Sequence, residues 1–137
     1  MGLSEIKPGL TGQSATVVGA ADLASAYGNP GADVLSSMTL MTLLEQACIK
    51  AIQHLLGPAE MSVGSRMEMD HLAPTPEGFK VTANAELAEV AGRKLVFALT
   101  AHDGADLVCR ATHVRFVVDK ERFFAGVKAK GGQGGPA

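Results

Sequence analysis

Ser37 to Leu56, SMTLMTLLEQACIKAIQHLL, is the one long segment with helical periodicity, and Gly57-Pro58 ends it. At about 100° per residue, Leu40, Leu44, Ala47, Cys48, Ala51, Ile52 and Leu55 share a broad apolar face, leaving Thr39, Gln46, Lys50 and Gln53 on a narrow polar one. That apolar arc spans about 200°, too wide for a surface helix, so the chain is expected to enclose it. One residue breaks the pattern. Glu45 lies on the apolar face, with Met41, Cys48 and Ile49 beside it. A buried, unpaired carboxylate is costly, so Glu45 must be protonated, paired or at the wall of a cavity.

Around this helix the pattern changes to a period of two. Residues 1–13 read as a loose lead-in, and Ser14 to Ala21 has the β-branched content of a short strand. Gly28, Pro30 and Gly31 mark a loop from Ala24 to Asp33, and Ser36 or Ser37 is a natural N-cap for the helix. After it, Met61 to His71 alternates until Pro74 and Pro76 close the run, which puts His71 at the end of a strand on its more apolar face. Phe79 to Val90, Lys94 to His102 and Asp106 to Asp119 follow as strands, joined by Ala91-Gly92-Arg93 and by Asp103-Gly104, a strong hairpin signal. Four antiparallel strands after one apolar helix imply an α+β fold with the sheet wrapped around the helix. The domain is expected over 14–124, with 125–137 as a disordered Gly-rich tail.

Composition narrows the function classes. With 137 residues, 47% of them hydrophobic, the chain is one domain's worth and holds a sizeable core. Twelve basic and fourteen acidic residues give a net charge of −2 without long runs of one sign, so no nucleic-acid surface is expected. No stretch of about 18 apolar residues occurs, so no membrane partner is expected. The two cysteines, Cys48 and Cys109, both read as core residues of a reduced, cytoplasmic protein. The four histidines, His54, His71, His102 and His113, have no i,i+4 pair and there is no CxxC, so no metal is expected. GxGxxG, Walker and GxSxG motifs are absent, and no cofactor is expected.

Three residues remain as candidates for chemistry. Glu45 is either a carboxylate paired across a subunit interface with, for example, Arg66 or Arg115, or a general base on water or a nucleophile whose basicity rises with partial desolvation. His71 is either a satisfied core or interface histidine or, beside a Pro-rich turn, a functional one. Ser37 is most economically an N-cap.

Three stretches add a second signal: VLSSMTLMTLLEQACIKAI, SVGSRMEMDHLAPTPEG and AELAEVAGRKLVFALTAHDGADLVCRATHVR. Together they resemble the hotdog-fold acyl-CoA thioesterases, most closely the fluoroacetyl-CoA thioesterase branch, over roughly Val34 to Phe124. The most specific agreements are Glu45 to Cys48, His71 to Gly78, and Ala101 to Gly104. The resemblance implies a hotdog fold and hydrolysis of a small acyl-CoA to acid and free CoA. It implies a catalytic trio of a hydroxyl before the helix, a glutamate within it and a histidine at the next strand's end, here Ser37, Glu45 and His71. It also implies that Gly64 offers a backbone amide to the thioester carbonyl and that Arg115 contacts substrate. A glycine suits that position, since a missing Cβ lets a ligand approach the chain. The branch carries a phenylalanine-bearing lid ahead of the helix, whereas the loop here has only Tyr27. The resemblance therefore extends to the branch and not to its fluorinated substrate.

Spacing adds a constraint of its own. Eight residues separate Ser37 from Glu45, about 12 Å along a straight helix. Either the Ser36-Ser37 segment folds back, or the site joins two subunits of a homodimer or of a dimer of dimers. Two other readings of the same fold are a non-catalytic acyl-CoA or hydrophobic-ligand binding dimer and a dehydratase acting on an unsaturated or hydroxyacyl thioester.

Overall fold

The computed structural model describes residues 5–134. Strand β1 (Thr11–Val17) precedes helix α1 (Ser37–Ile52), which passes through a short 3-10 turn into β2 (Glu60–His71). Strands β3 (Lys80–Ala91), β4 (Lys94–His102) and β5 (Leu107–Asp119) follow, then helix α2 (Lys120–Gly134). The strands form one antiparallel sheet in the order β1-β3-β4-β5-β2, so β1 and β2 are its edges. The two hairpins turn where the sequence places them, and Gly92 (φ 62°) and Gly104 (φ 89°) supply the left-handed backbone.

Alternation decides which side of the sheet meets α1. Val81, Ala83, Ala85 and Leu87 on β3, and Leu95, Phe97, Leu99 and Ala101 on β4, are all buried. They close on Leu40, Leu43, Leu44, Ala47, Cys48, Ala51 and Ile52 of the helix. A very close approach is made at Gly12 on β1. A Cβ there would overlap the Ala47 carbonyl oxygen and lie 2.6 Å from the Ala51 nitrogen, so strand and helix meet backbone to backbone.

Two expected boundaries are corrected. β1 starts at Thr11, inside the supposed lead-in, and Ile6 is buried in the core. Gly12 concealed this, because a residue without a side chain carries no alternation to read. Residues 125–134 of the supposed disordered tail continue α2, which leaves the sheet as a largely exposed helix. Ala125, Val127, Lys128, Ala129 and Lys130 are compatible with a helix despite the glycines around them. Residues 1–4 and 135–137 lie outside the described residues.

Enclosure of α1 is also one-sided. The helix lies on β1 and β3 and barely touches β2. Met38, Met41, Thr42, Glu45 and Ile49 form a stripe of helix that the chain's own sheet does not bury. Replacing Gly12 by Ala is expected to lower stability by at least about 3 kcal/mol, since backbone on both sides must move. Chemical denaturation of wild type and variant would measure it; a loss under about 1 kcal/mol would show that α1 is not seated this tightly.

Candidate active site

Two adjacent serines divide two tasks at the start of α1. Ser36 is the N-cap, and its hydroxyl accepts a hydrogen bond from the Thr39 amide at 3.0 Å. Ser37, the first helical residue, is left free, and its Oγ lies 2.7 Å from His71 Nδ1. His71 ends β2 opposite Cys109, as its strand parity predicts.

The segment beyond His71 fastens this pair. The Leu35 amide donates to the Thr75 carbonyl at 2.8 Å, which ties the chain before α1 to the chain after β2. Thr75 is fully buried, and its hydroxyl donates to Asp103 Oδ2 at 2.8 Å. Asp103 also accepts from the amides of Ala105 (3.0 Å) and Asp106 (2.8 Å). Burial opposes the Asp103 charge, but the Asp106 amide, the Thr75 hydroxyl and the Ala105 amide outweigh it and hold the carboxyl below its ordinary 3.8. Its stabilisation is therefore in force above that value and fades as acid protonates the group.

His71 Nε2 is shielded from solvent and has no hydrogen-bond partner among the described residues. Burial lowers the proton affinity of the ring below the ordinary 6.5, and the nearby Ala73 backbone offsets part of that without reaching hydrogen-bonding geometry. The ring is thus neutral near pH 7, the state in which one nitrogen can take a proton from Ser37.

Glu45 belongs to a second cluster. Its Oε2 accepts from Arg115 Nη1 at 3.0 Å and lies 3.6 Å from His113 Nε2. Its side chain is 47% exposed, whereas that of Arg115 is 4% exposed. Of the two arginines open to it in the sequence, Arg115 is therefore the partner, and the pairing lies within one chain. Arg115 Nε donates to Ser62 Oγ at 2.9 Å and Nη2 to the Ser62 carbonyl at 2.8 Å. Arg115, which the resemblance assigns to substrate contact, is buried in this chain, with Nε, Nη1 and Nη2 each engaged by Ser62 or Glu45. Gly64 closes the cluster: a Cβ there would stand 2.8 Å from Glu45 Oε2 and 3.0 Å from His113 Cε1.

The two clusters open into different clefts of one chain. A cleft of about 340 Å³ between α1 and β2 is lined by Tyr27, Met38, Met41, Glu45, Met67 and His113. His71 lines another of about 250 Å³ with Val34, Leu72 and Pro74. No fold-back occurs, since Ser37 and Glu45 are both residues of α1. Neither cysteine serves as a nucleophile: burial pushes Cys48 up to about 12 and Cys109 to about 11.

Residues 18–121 match the model of the family described as "FlK: Fluoroacetyl-CoA-specific thioesterase". The fluoroacetyl-CoA thioesterase of Streptantibioticus cattleyicolor is 40% identical over 98 residues, 72% of this chain and 70% of that protein. This chain belongs to the fluoroacetyl-CoA-specific thioesterase family. A solved structure of an FlK mutant in complex with acetyl-CoA superposes with a TM-score of 0.85 at 34% identity, covering 91% of this chain and 98% of that one. A hot-dog-like protein from Thermanaerovibrio acidaminovorans, 22% identical with a TM-score of 0.85 over 91% and 93% of the two chains, shares the fold. The expected hotdog fold and family are thus borne out.

Sequence reasoning selected Ser37, Glu45, His71, Gly64 and Arg115, and the structure groups them as Ser37 with His71 and Glu45 with Gly64 and Arg115. It passed over His113, although His113 and Arg115 are two apart on a strand and so share a face. Asp103→Ala is expected to cost about 2 kcal/mol, because it leaves the buried Thr75 hydroxyl and two turn amides without their acceptor. Thermal denaturation near neutral pH checks this; an unchanged midpoint would remove Asp103 from the framework.

Proposed function

We propose that this thioesterase works as a dimer, hydrolysing a small acyl-CoA thioester to the acid and free CoA at two sites between its subunits. Each site would combine Ser37 and His71 of one copy with Glu45 and Gly64 of the other. The observation that carries this reading is the Ser37–His71 contact of 2.7 Å, a hydroxyl and a neutral base at hydrogen-bonding distance. His71 takes the proton as the nucleophile attacks the thioester carbonyl, and the thiolate of CoA leaves. Amide donors near Gly64 stabilise the oxyanion, and Glu45 orients the nucleophile or the attacking water. The open stripe of α1 supports the dimer. Met38 and Met41 are exposed apolar side chains that water solvates poorly, and the unpaired edge of β2 runs beside them. Two free, buried cysteines suit a reducing cytoplasm, and no described helix is long and apolar enough to cross a membrane.

A thiol-release screen over acetyl-, butyryl-, hexanoyl- and phenylacetyl-CoA, with hydration of an enoyl-CoA beside it, tests the activity. Thioester hydrolysis is expected; saturable binding without thiol release would favour the binding module, and hydration the dehydratase. Glu45→Gln and His71→Ala are each expected to lower kcat/KM by more than about tenfold. Values within about threefold of wild type would sink the assignment. Ser37→Ala separates an acyl-serine route, where turnover is lost, from direct attack by water, where much of it survives.

The sign of the pH dependence comes from His71. Its proton affinity is lowered, so the neutral base persists below the ordinary 6.5. kcat/KM is expected to hold through that value on acidification and to fall only at lower pH. Light scattering at assay concentration should find a dimer; a fully active monomer would refute the shared site.

A further inference from the structure

His113 is outside the residues assigned so far, yet it has one edge on the cleft that Glu45 lines and is only 3% exposed. It sits on β5 opposite Met67 of β2 and Phe97 of β4. The register of β2 slips by one residue between Gly64 and Arg66, a bulge that leaves Ser65 unmatched. At that bulge the Arg66 carbonyl lies 2.8 Å from His113 Nδ1. A carbonyl can only accept, so Nδ1 carries the hydrogen and Nε2 of the neutral ring presents a lone pair.

That lone pair receives Arg115 Nη1, 3.1 Å away. An Nη1 nitrogen has two hydrogens. One goes to His113, and the other to Glu45 Oε2 at 3.0 Å. The remaining side of the guanidinium is held by Ser62, through Nε and Nη2. Each hydrogen bond therefore fixes the next, from the β2 bulge through His113 and Arg115 to a carboxylate whose own side chain is half exposed and otherwise free to rotate. We infer that His113 is a positioning residue for Glu45, acting through Arg115, and that the bulge at Gly64 to Arg66 sets its tautomer. This rests on the proposed catalytic role of Glu45.

Neutrality of the ring is part of the device. A proton on Nε2 would point a donor at a guanidinium that has only donors. Burial first, and then the Arg115 charge, lower the proton affinity of His113, against the opposing pull of the Arg66 carbonyl and Glu45. An ordinary core histidine needs no such partner, and filling its volume with an apolar residue would leave an Arg115 hydrogen buried and unsatisfied.

Two substitutions divide the ring's two nitrogens. His113→Asn keeps a donor near Nδ1 but has nothing at Nε2, whereas His113→Gln places an amide oxygen where Nε2 was. On the acyl-CoA turned over fastest in the thiol-release screen, His113→Asn is expected to lower kcat/KM about tenfold, mostly in kcat, with His113→Gln within about threefold of wild type. Glu45→Gln with His113→Asn should be no more than about twofold below Glu45→Gln alone, because the second change removes support from a carboxylate already gone. If Glu45→Gln is harmless, the catalytic reading of Glu45 fails. If Glu45→Gln is impaired but His113→Asn is active, or the two losses multiply, only the positioning role fails. Should His113→Asn show no cooperative melt, Ser62→Ala takes its place: a loss of at least about threefold that vanishes in the Glu45→Gln background supports the inference, and an additive loss overturns it.

Discussion

The backbone contact between β1 and α1 at Gly12 determines where the helix can pack and where it cannot. A helix seated that close to one half of a curled sheet cannot also lie against the other half. β1 and β3 take most of its contacts, and β2 stands off. The gap between α1 and β2 is therefore a product of the packing, and it is where the one anomalous carboxylate of the helix emerges. Cleft and fold have the same cause: the side of α1 that its own sheet leaves open is the side on which Glu45 emerges.

Charge in that gap is handled by depth. Arg115 is buried and could not stay so without partners, and Ser62, His113 and Glu45 engage both of its terminal nitrogens and Nε. Glu45 is solvated on its open side, so the pair avoids the penalty of two ions leaving water together. If a second copy covers the stripe, that penalty rises, and the guanidinium already in place offsets it. In this sense Arg115 is the buried counter-charge that holds Glu45 at the cleft.

Most of the architecture was legible in the sequence because the relevant signals are local. The 3.6-residue period of α1, the alternation from Met61 onward and Asp103-Gly104 each belong to one element. β1 was misplaced because its decisive residue, Gly12, acts by lacking a side chain. The continuation of α2 was missed because its glycines outweighed its Ala and Lys residues. Within the site, His71 stood out by its position at a strand end, whereas Ser37 read as an N-cap and was singled out only by the family resemblance. The choice between Arg66 and Arg115 as partner of Glu45 was not legible, since it depends on a bulge that reverses which β2 residues face inward. His113 was overlooked for a related reason: its importance comes from Arg115, seventy residues from Glu45, and not from a spacing of its own.

The paired serines at the head of α1 carry a consequence for how such a sequence can drift. Ser36 holds the helix end and Ser37 faces His71, so neighbouring positions with the same side chain are exposed to different selection. Exchange of Ser36 for Asp, Asn or Thr preserves a cap, whereas only another hydroxyl at Ser37 can keep the contact with His71. The helix cap and the hydroxyl that faces His71 are thus separate side chains, one residue apart.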